Sequence, residues 1–203
     1  MLLPFDRVAE LLARLRPDRP PFDDRTRAAV AMILRHAADD MEMLFIERAA
    51  AERDPWSGNL AFPGGKVEPG EEPHQAAVRE TLEEVGLDLG AARFMGRLAD
   101  IAGAHLPVRV SCFVYGLQGV DATPVLNGEV YDAFWVGLDD LTAAERHVIA
   151  PVRFAEEGFD VPAIRLPQQG KPVLWGLTYR LTMQFLELMG AAPGGGCVLP
   201  DIP

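Results

Sequence analysis

Residues 65 to 87 read GKVEPGEEPHQAAVRETLEEVGL, and the rest of the chain is best understood outward from this stretch. Within it, PHQAAVRETLEEV places Pro73 where a first helical turn tolerates a missing N–H, and Gly86 where a helix stops. The spacing predicts a helix over 73–85, with Ala77, Val78, Leu82 and Val85 as the face to bury. On that helix Glu80 lies three residues before Glu83 and four before Glu84, so three carboxylates project from neighbouring positions. Bare, such a cluster repels itself by roughly 0.2–0.5 kcal/mol per pair. A hard divalent cation, which prefers oxygen ligands, turns that repulsion into binding.

An acidic cluster on a helix is by itself more often a solvated surface than a site. Here the preceding loop FPGGKVEPGE supplies Gly64, Gly65 and Gly70, which let backbone amides and carbonyls approach a ligand, and Glu71 adds a carboxylate at the helix entrance. Arg79, four residues before Glu83, can orient or partly neutralise the acidic face.

Upstream, a polar segment from Ala49 to Pro73, rich in Gly and Pro, is long enough to imply a shaped functional loop. Before it, RAAVAMILRH and MEMLFIER alternate as two strands joined by the turn AADD. Val8, Leu11, Leu12 and Leu15 predict an amphipathic helix over 4–16, which packs on the domain or on a second subunit, and RPDRPPFDD reads as a proline-rich linker. Downstream, strands are expected at 92–101, 107–117 and 130–137, then a short helix around LDDLTAAE. Extended segments at 147–155 and 159–166, a helix from Trp175 to Met189 and a loose tail complete the chain. The expected organisation is an N-terminal helix and linker at 1–20, one domain at 21–190 and a tail at 191–203. Many strands with few helices indicate an α+β or layered mixed-sheet fold.

Bulk properties narrow the function. A net charge of -11 over 203 residues, with no basic cluster, argues against nucleic acid as a partner. A small phosphorylated substrate is still compatible, because bound cations reverse the local field. Cys112 and Cys197 alone do not make a disulfide framework, and a reducing cytosol fits best. The charges of Asp6, Arg7, Glu10 and Arg14 interrupt any secretory apolar run, and no run of 18 apolar residues occurs, so neither export nor a membrane partner is expected. A homodimer is compatible with the first helix but not required.

The 65–87 stretch resembles the signature of the Nudix hydrolases, G-x5-E-x7-R-E-U-x-E-E-x-G-U with U a bulky aliphatic residue. Gly65, Glu71, Arg79, Glu80, Glu83, Glu84, Gly86 and Leu87 fall in place, while Thr81 stands where Leu, Ile or Val is usual. Seven fixed residues of ordinary abundance at these spacings arise by chance roughly once in 10⁸ starts. The resemblance implies a mixed β-sheet sandwiched between α-helices and hydrolysis of a nucleoside diphosphate linked to another group. It implies magnesium or manganese held by Glu80, Glu83 and Glu84 with the carbonyl of Gly65. Arg79 then belongs to the catalytic apparatus. The general base is left between Glu129, just before a strand, and Glu83.

LFIERAAAERDPWSGNLAFPGG is similar to the additional motif of the coenzyme A diphosphatase branch, LLTxR[SA]-x3-R-x3-G-x3-FPGG. Leu44, Arg48, Ala49, Arg53, Gly58 and Phe62 to Gly65 match in kind. Phe45 and Ile46 depart from it, as does one additional residue between Arg53 and Gly58. LWGLTYRL at 174–181 also resembles a segment of that branch. Coenzyme A or its acyl forms are therefore the best single substrate, with Arg48 and Arg53 as phosphate-binding candidates. NADH, ADP-ribose, nucleotide sugars and dNTPs are the alternatives within enzymes. A nucleotide-sensing module that does not cleave is the alternative outside them, and it would be expected to have lost signature ligands. Trp56 and Trp175 are candidates for packing or for stacking on a base. His74, His105 and His147 lack metal-ligand spacing and carry no expected role.

Overall fold

The sequence alternates short apolar runs with breaks, and the runs become strands, of which the central ones are covered on both faces. In the computed structural model, residues 4–15, 24–51, 56–103, 107–118, 123–154 and 157–192 are described. The linker at 16–23, Arg53, His105 and the tail from residue 193 lie outside them.

A helix, α1, at Phe5–Arg14 precedes the strands β1 at Thr26–His36 and β2 at Met41–Arg48. The polar segment contains two short strands that periodicity does not reveal, β3 at Leu60–Ala61 and β4 at Gly64–Lys66, before α2 at Pro73–Val85. Strands β5 at Arg93–Arg97, β6 at Ile101–Ala102, β7 at Val108–Leu117 and β8 at Val130–Gly137 follow. A short α3 at Leu138–Thr142 leads to β9 at His147–Phe154, β10 at Glu157–Ile164 and α4 at Gly176–Leu188.

The main sheet runs β3-β2-β1-β7-β5, with β4 on β1, β6 on β7 and β8 on β2. It is mixed, because β1 and β7 are parallel over their whole length, from Thr26 opposite Val108 to Arg35 opposite Leu117, while the other pairs are antiparallel. A parallel central pair must be covered on both faces, which is why AVAMIL of β1 and VSCFVYGL of β7 read as nearly continuous apolar runs. Odd-numbered positions of β1, Ala29, Ala31 and Ile33, pack with Ala76, Ala77 and Val85 of α2. The even ones, Met32 and Leu34, pack on the other side with Phe5, Val8 and Leu12 of α1 and with Leu181, Phe185 and Leu186 of α4. The sheet thus lies between α2 and the α1/α4 layer. The first helix shares the domain's own core, the first of the two packings left open by its stripe. β9 and β10 form a separate antiparallel hairpin.

Two expectations for α2 shift by one position. Thr81 is fully buried and donates its hydroxyl to the carbonyl of Ala77 at 2.7 Å, whereas Leu82 is 51% exposed. Ala77, Thr81 and Glu84 lie at i, i+4 and i+7 on the sheet-facing stripe, which leaves Leu82 turned away. Thr is tolerated there because bonding to the preceding turn satisfies its hydroxyl without a tertiary partner. The helix ends as expected, with Gly86 in the left-handed region at φ 67°.

His74, in the first turn of α2, is held in an aromatic cluster. Its ring packs edge-on against Phe94 and Phe113, and its Nε2 lies 2.6 Å from the hydroxyl of Tyr115. Burial lowers the His74 pKa, so the unfolded chain takes up its proton first as the pH falls. Stability is accordingly expected to decline as the pH drops below about 6.5 and to level off below the folded-state value. Urea midpoints at pH 8 and pH 5 should differ more for the wild type than for His74→Phe; parallel losses in the two proteins would assign the pH dependence to other groups.

Candidate active site

The signature loop opens on a short segment, Gly64 and Gly65, with no room for side chains. Gly64 and Gly65 pair with Val30 and Ala29 of β1, which brings the turn under α2. A Cβ on Gly65 would lie 2.4 Å from the carboxyl carbon of Glu80, so that carboxylate rests directly on the Gly65 backbone. The Gly64 N–H donates to Oε2 of Glu84 at 2.8 Å.

The three glutamates therefore do not present one uniform acidic face. Glu84 points inward and is 2% exposed, Glu80 is largely covered, and the Glu83 side chain is 55% exposed. They form a ladder from the sheet to solvent. Burial pushes the Glu84 carboxyl up to about 7, with Glu80 and Glu129 adding to the rise; the Gly64 hydrogen bond and the charge of Arg48 oppose it.

Arg79 clamps the site. Its Nε and one terminal nitrogen donate to the two oxygens of Glu71 at 3.0 and 3.1 Å, and the same terminal nitrogen reaches the Lys66 carbonyl at 3.3 Å. The other nitrogen donates to Glu80 at 2.9 Å and Glu83 at 3.4 Å. A bidentate pair fixes direction as well as charge, so Arg79 ties the loop before α2 to the helix and holds Glu80 against Gly65. Its partners raise the Arg79 pKa further, led by Glu71, and the same bond lowers that of Glu71.

The donor set fits a hard divalent cation in kind. Glu80, Glu83 and Glu84 offer only oxygen, Gly65 is a cradle that a Cβ would fill, and Glu84 is a buried carboxylate with one backbone donor. Among the described residues, no three His, Cys, Asp or Glu groups converge on one point as they stand, because Arg79 lies between Glu80 and Glu83.

Glu129 is brought to the same end of the sheet. It is exposed, its carbonyl accepts from the Ala49 N–H at 2.9 Å, and its neighbour Val130 pairs with Arg48. Its loop is fastened to the end of α2, where the N–H groups of Val125 and Asn127 donate to the carbonyls of Val85 and Glu84 at 2.8 and 3.1 Å. Periodicity gives no hint of this docking. It satisfies helix-end carbonyls that otherwise need a cap.

Arg48 ends β2 at an irregularity in its pairing with β8 and lines a cleft of about 240 Å³, together with Gly64, Gly65, Lys66 and the tryptophans Trp56 and Trp175. Trp56 packs on Phe154 and Trp175, with ring centroids 4.6 and 6.1 Å away, and the Trp175 Nε1 donates to Asn59 Oδ1 at 2.9 Å. The Cys112 thiol is pushed up to about 12 by complete burial and is no nucleophile. Among the described residues, no helix is long and apolar enough to cross a membrane.

An uncharacterized protein of Schizosaccharomyces pombe is 32% identical over 162 residues, covering 68% of this chain and 48% of that protein. A probable nudix hydrolase of the same yeast is 26% identical over 181 residues, covering 87% of this chain and 62% of its own length. The chain thus spans about half to three fifths of these relatives. The crystal structure of a MutT/nudix family protein from Enterococcus faecalis superposes with a TM-score of 0.53 at 13% identity, covering 94% of this chain and 81% of that one, which is a likeness of fold. The NUDIX domain profile matches residues 25–157, the span that holds the glycine cradle, the glutamate ladder, the arginine clamp and the Glu129 loop, and on that match the chain belongs to the Nudix family.

Proposed function

We propose that this chain hydrolyses a diphosphate linkage in a small nucleotide derivative, with Mg²⁺ or Mn²⁺ held by Glu80, Glu83, Glu84 and the carbonyl of Gly65. The observation that carries this reading is the Gly64–Gly65 pair of β4 packed without side chains against Glu80 and Glu84, on a helix that Arg79 locks to its own entrance loop. That arrangement serves no packing purpose, since it places carboxylates where apolar side chains would bury more favourably.

A bound divalent cation neutralises the diphosphate, polarises its phosphorus–oxygen bonds and lowers the pKa of the attacking water. The chain's own residues supply position. Arg79 keeps Glu80 on the cradle, and the Gly64 N–H orients Glu84. Glu129, exposed on the loop tied to the end of α2, is the leading proton acceptor, with Glu83 the second candidate. Arg48, at the cleft wall beside Gly65, is suited to a phosphate oxygen. Arg53 is proposed to assist it on sequence grounds alone.

Coenzyme A or an acyl form is the preferred substrate. Its support is the motif around Arg48 and the LWGLTYRL segment, whose Trp175, Leu177, Thr178 and Leu181 line the same cleft as Arg48. A panel of coenzyme A, acyl-coenzyme A, NADH, ADP-ribose, nucleotide sugars and dNTPs, with products identified by mass, is expected to show the highest kcat/KM for the coenzyme A group. Equal rates throughout would remove the preference.

A further inference from the structure

The cleft beside the glutamate ladder is built from the α4 side of the sheet. Its floor comes from alternate residues of the parallel pair, Val30 and Val110, with Phe62, Leu177 and Leu181 closing it. At about 240 Å³ it is smaller than a site for a whole drug-sized ligand, so it takes part of a molecule whose remainder sits elsewhere. Gly65 joins the two regions, since it lines the cleft and also carries the Glu80 carboxylate.

The polar groups of the lining sort by position. Thr178 already donates its hydroxyl to the Leu60 carbonyl at 3.1 Å, and Asn59 Oδ1 already accepts from Trp175. With the Thr178 hydroxyl and Asn59 Oδ1 committed, a nucleobase buried there would leave part of its hydrogen-bonding edge unmatched, which is unfavourable. Nor do the tryptophans form jaws for a flat ring, being tilted by 41° and packed on each other and on Phe154. The charged lining residues are Arg48 and Lys66, both cationic, and Lys66 directly follows Gly65 on β4.

Resting on the diphosphatase reading above, the geometry points to an aliphatic arm as the occupant of this cleft, attached to the phosphate that leaves with the non-nucleoside half of the substrate. The cations take the phosphate, the floor takes saturated carbon, and the nucleoside half stays outside. Each methylene buried strengthens binding by about fourfold.

The test has a binding arm that needs no turnover. Straight-chain alkyl monophosphates from C2 to C8 are titrated into the full chain by calorimetry, and affinity is expected to rise about fourfold per methylene. Leu177→Trp and Val108→Phe, both at partly buried lining positions, should each flatten that rise. Equal affinity from C2 to C8, or a rise that both substitutions leave intact, overturns the proposal. In a second arm, ADP esterified through its β-phosphate to the same alcohols is offered with Mg²⁺, and kcat/KM should follow chain length. Hydrolysis indifferent to length overturns the aliphatic arm and leaves the diphosphatase reading standing. Length-dependent binding with no hydrolysis of any ester or of any diphosphate in the panel supports the cleft's ligand and removes the diphosphatase reading instead.

Discussion

Replacing Glu84 by Gln is expected to lower Mg²⁺-dependent kcat/KM by about 10²–10³-fold or more while leaving the fold intact. Glutamine keeps the shape and an oxygen that can accept the Gly64 N–H, so the turn beneath α2 keeps its hydrogen bond. What it loses is charge at a site that is 2% exposed, where the Gly64 N–H and the charge of Arg48 only partly offset the burial of the carboxylate. The urea midpoint should therefore hold steady or rise, because a buried charge has been removed without opening a cavity. Glu83→Gln should show a similar fall in turnover with even less effect on stability, since among the described residues Glu83 reaches only Arg79, at 3.4 Å, from a half-exposed position. Wild-type rates in both variants would contradict the metal site.

The two adjacent glycines should fail in opposite ways when changed to alanine. Gly64 has φ 148°, and a Cβ there would sit 2.2 Å from the Ala29 carbonyl oxygen and 2.6 Å from the Val30 Cα. Both are backbone atoms of the central strand, so β4 must part from β1, and Gly64→Ala is expected to cost about 3 kcal/mol or more. At Gly65 the obstacle is the carboxylate of Glu80, the far end of a flexible side chain. Gly65→Ala should therefore lose only about 1 kcal/mol, while Glu80 swings off its cradle and turnover falls by about 10²-fold. Urea titration and kcat/KM on the same two proteins check the contrast. A fully active Gly65→Ala would remove the cradle from the site.

Elements that carry strong local signals are legible in the amino-acid sequence. The bounds of α2 follow from Pro73 and Gly86, and the β1–β2 hairpin follows from two apolar runs around AADD. The parallel pairing of β1 with β7 is not legible in this way, since its partners lie some 80 positions apart and no local pattern records which strands meet. β3 and β4 are two and three residues long, too short to show a period, and they form because neighbouring strands offer backbone partners. Charge patterning likewise hides the inward turn of Glu84, because a glutamate beside a glutamate reads as solvated until the helix is set against the sheet. The Glu71–Arg79 clamp spans eight residues and needs the loop geometry to be seen. At the site itself, spacing alone leaves three carboxylates that are equally compatible with ordinary surface. The family signature singles them out, and the fold adds that they form a ladder resting on Gly64 and Gly65.

The most direct test is hydrolysis of coenzyme A and the other diphosphates of the panel in ¹⁸O-water, with Mg²⁺ or Mn²⁺ and again with excess chelator, followed by mass analysis. The expected result is two phosphate-bearing products, one of them carrying a single ¹⁸O, with no cleavage in chelator. Cleavage that persists in chelator, or a panel left intact in the presence of either metal, would contradict a metal-dependent diphosphatase built on Glu80, Glu83 and Glu84.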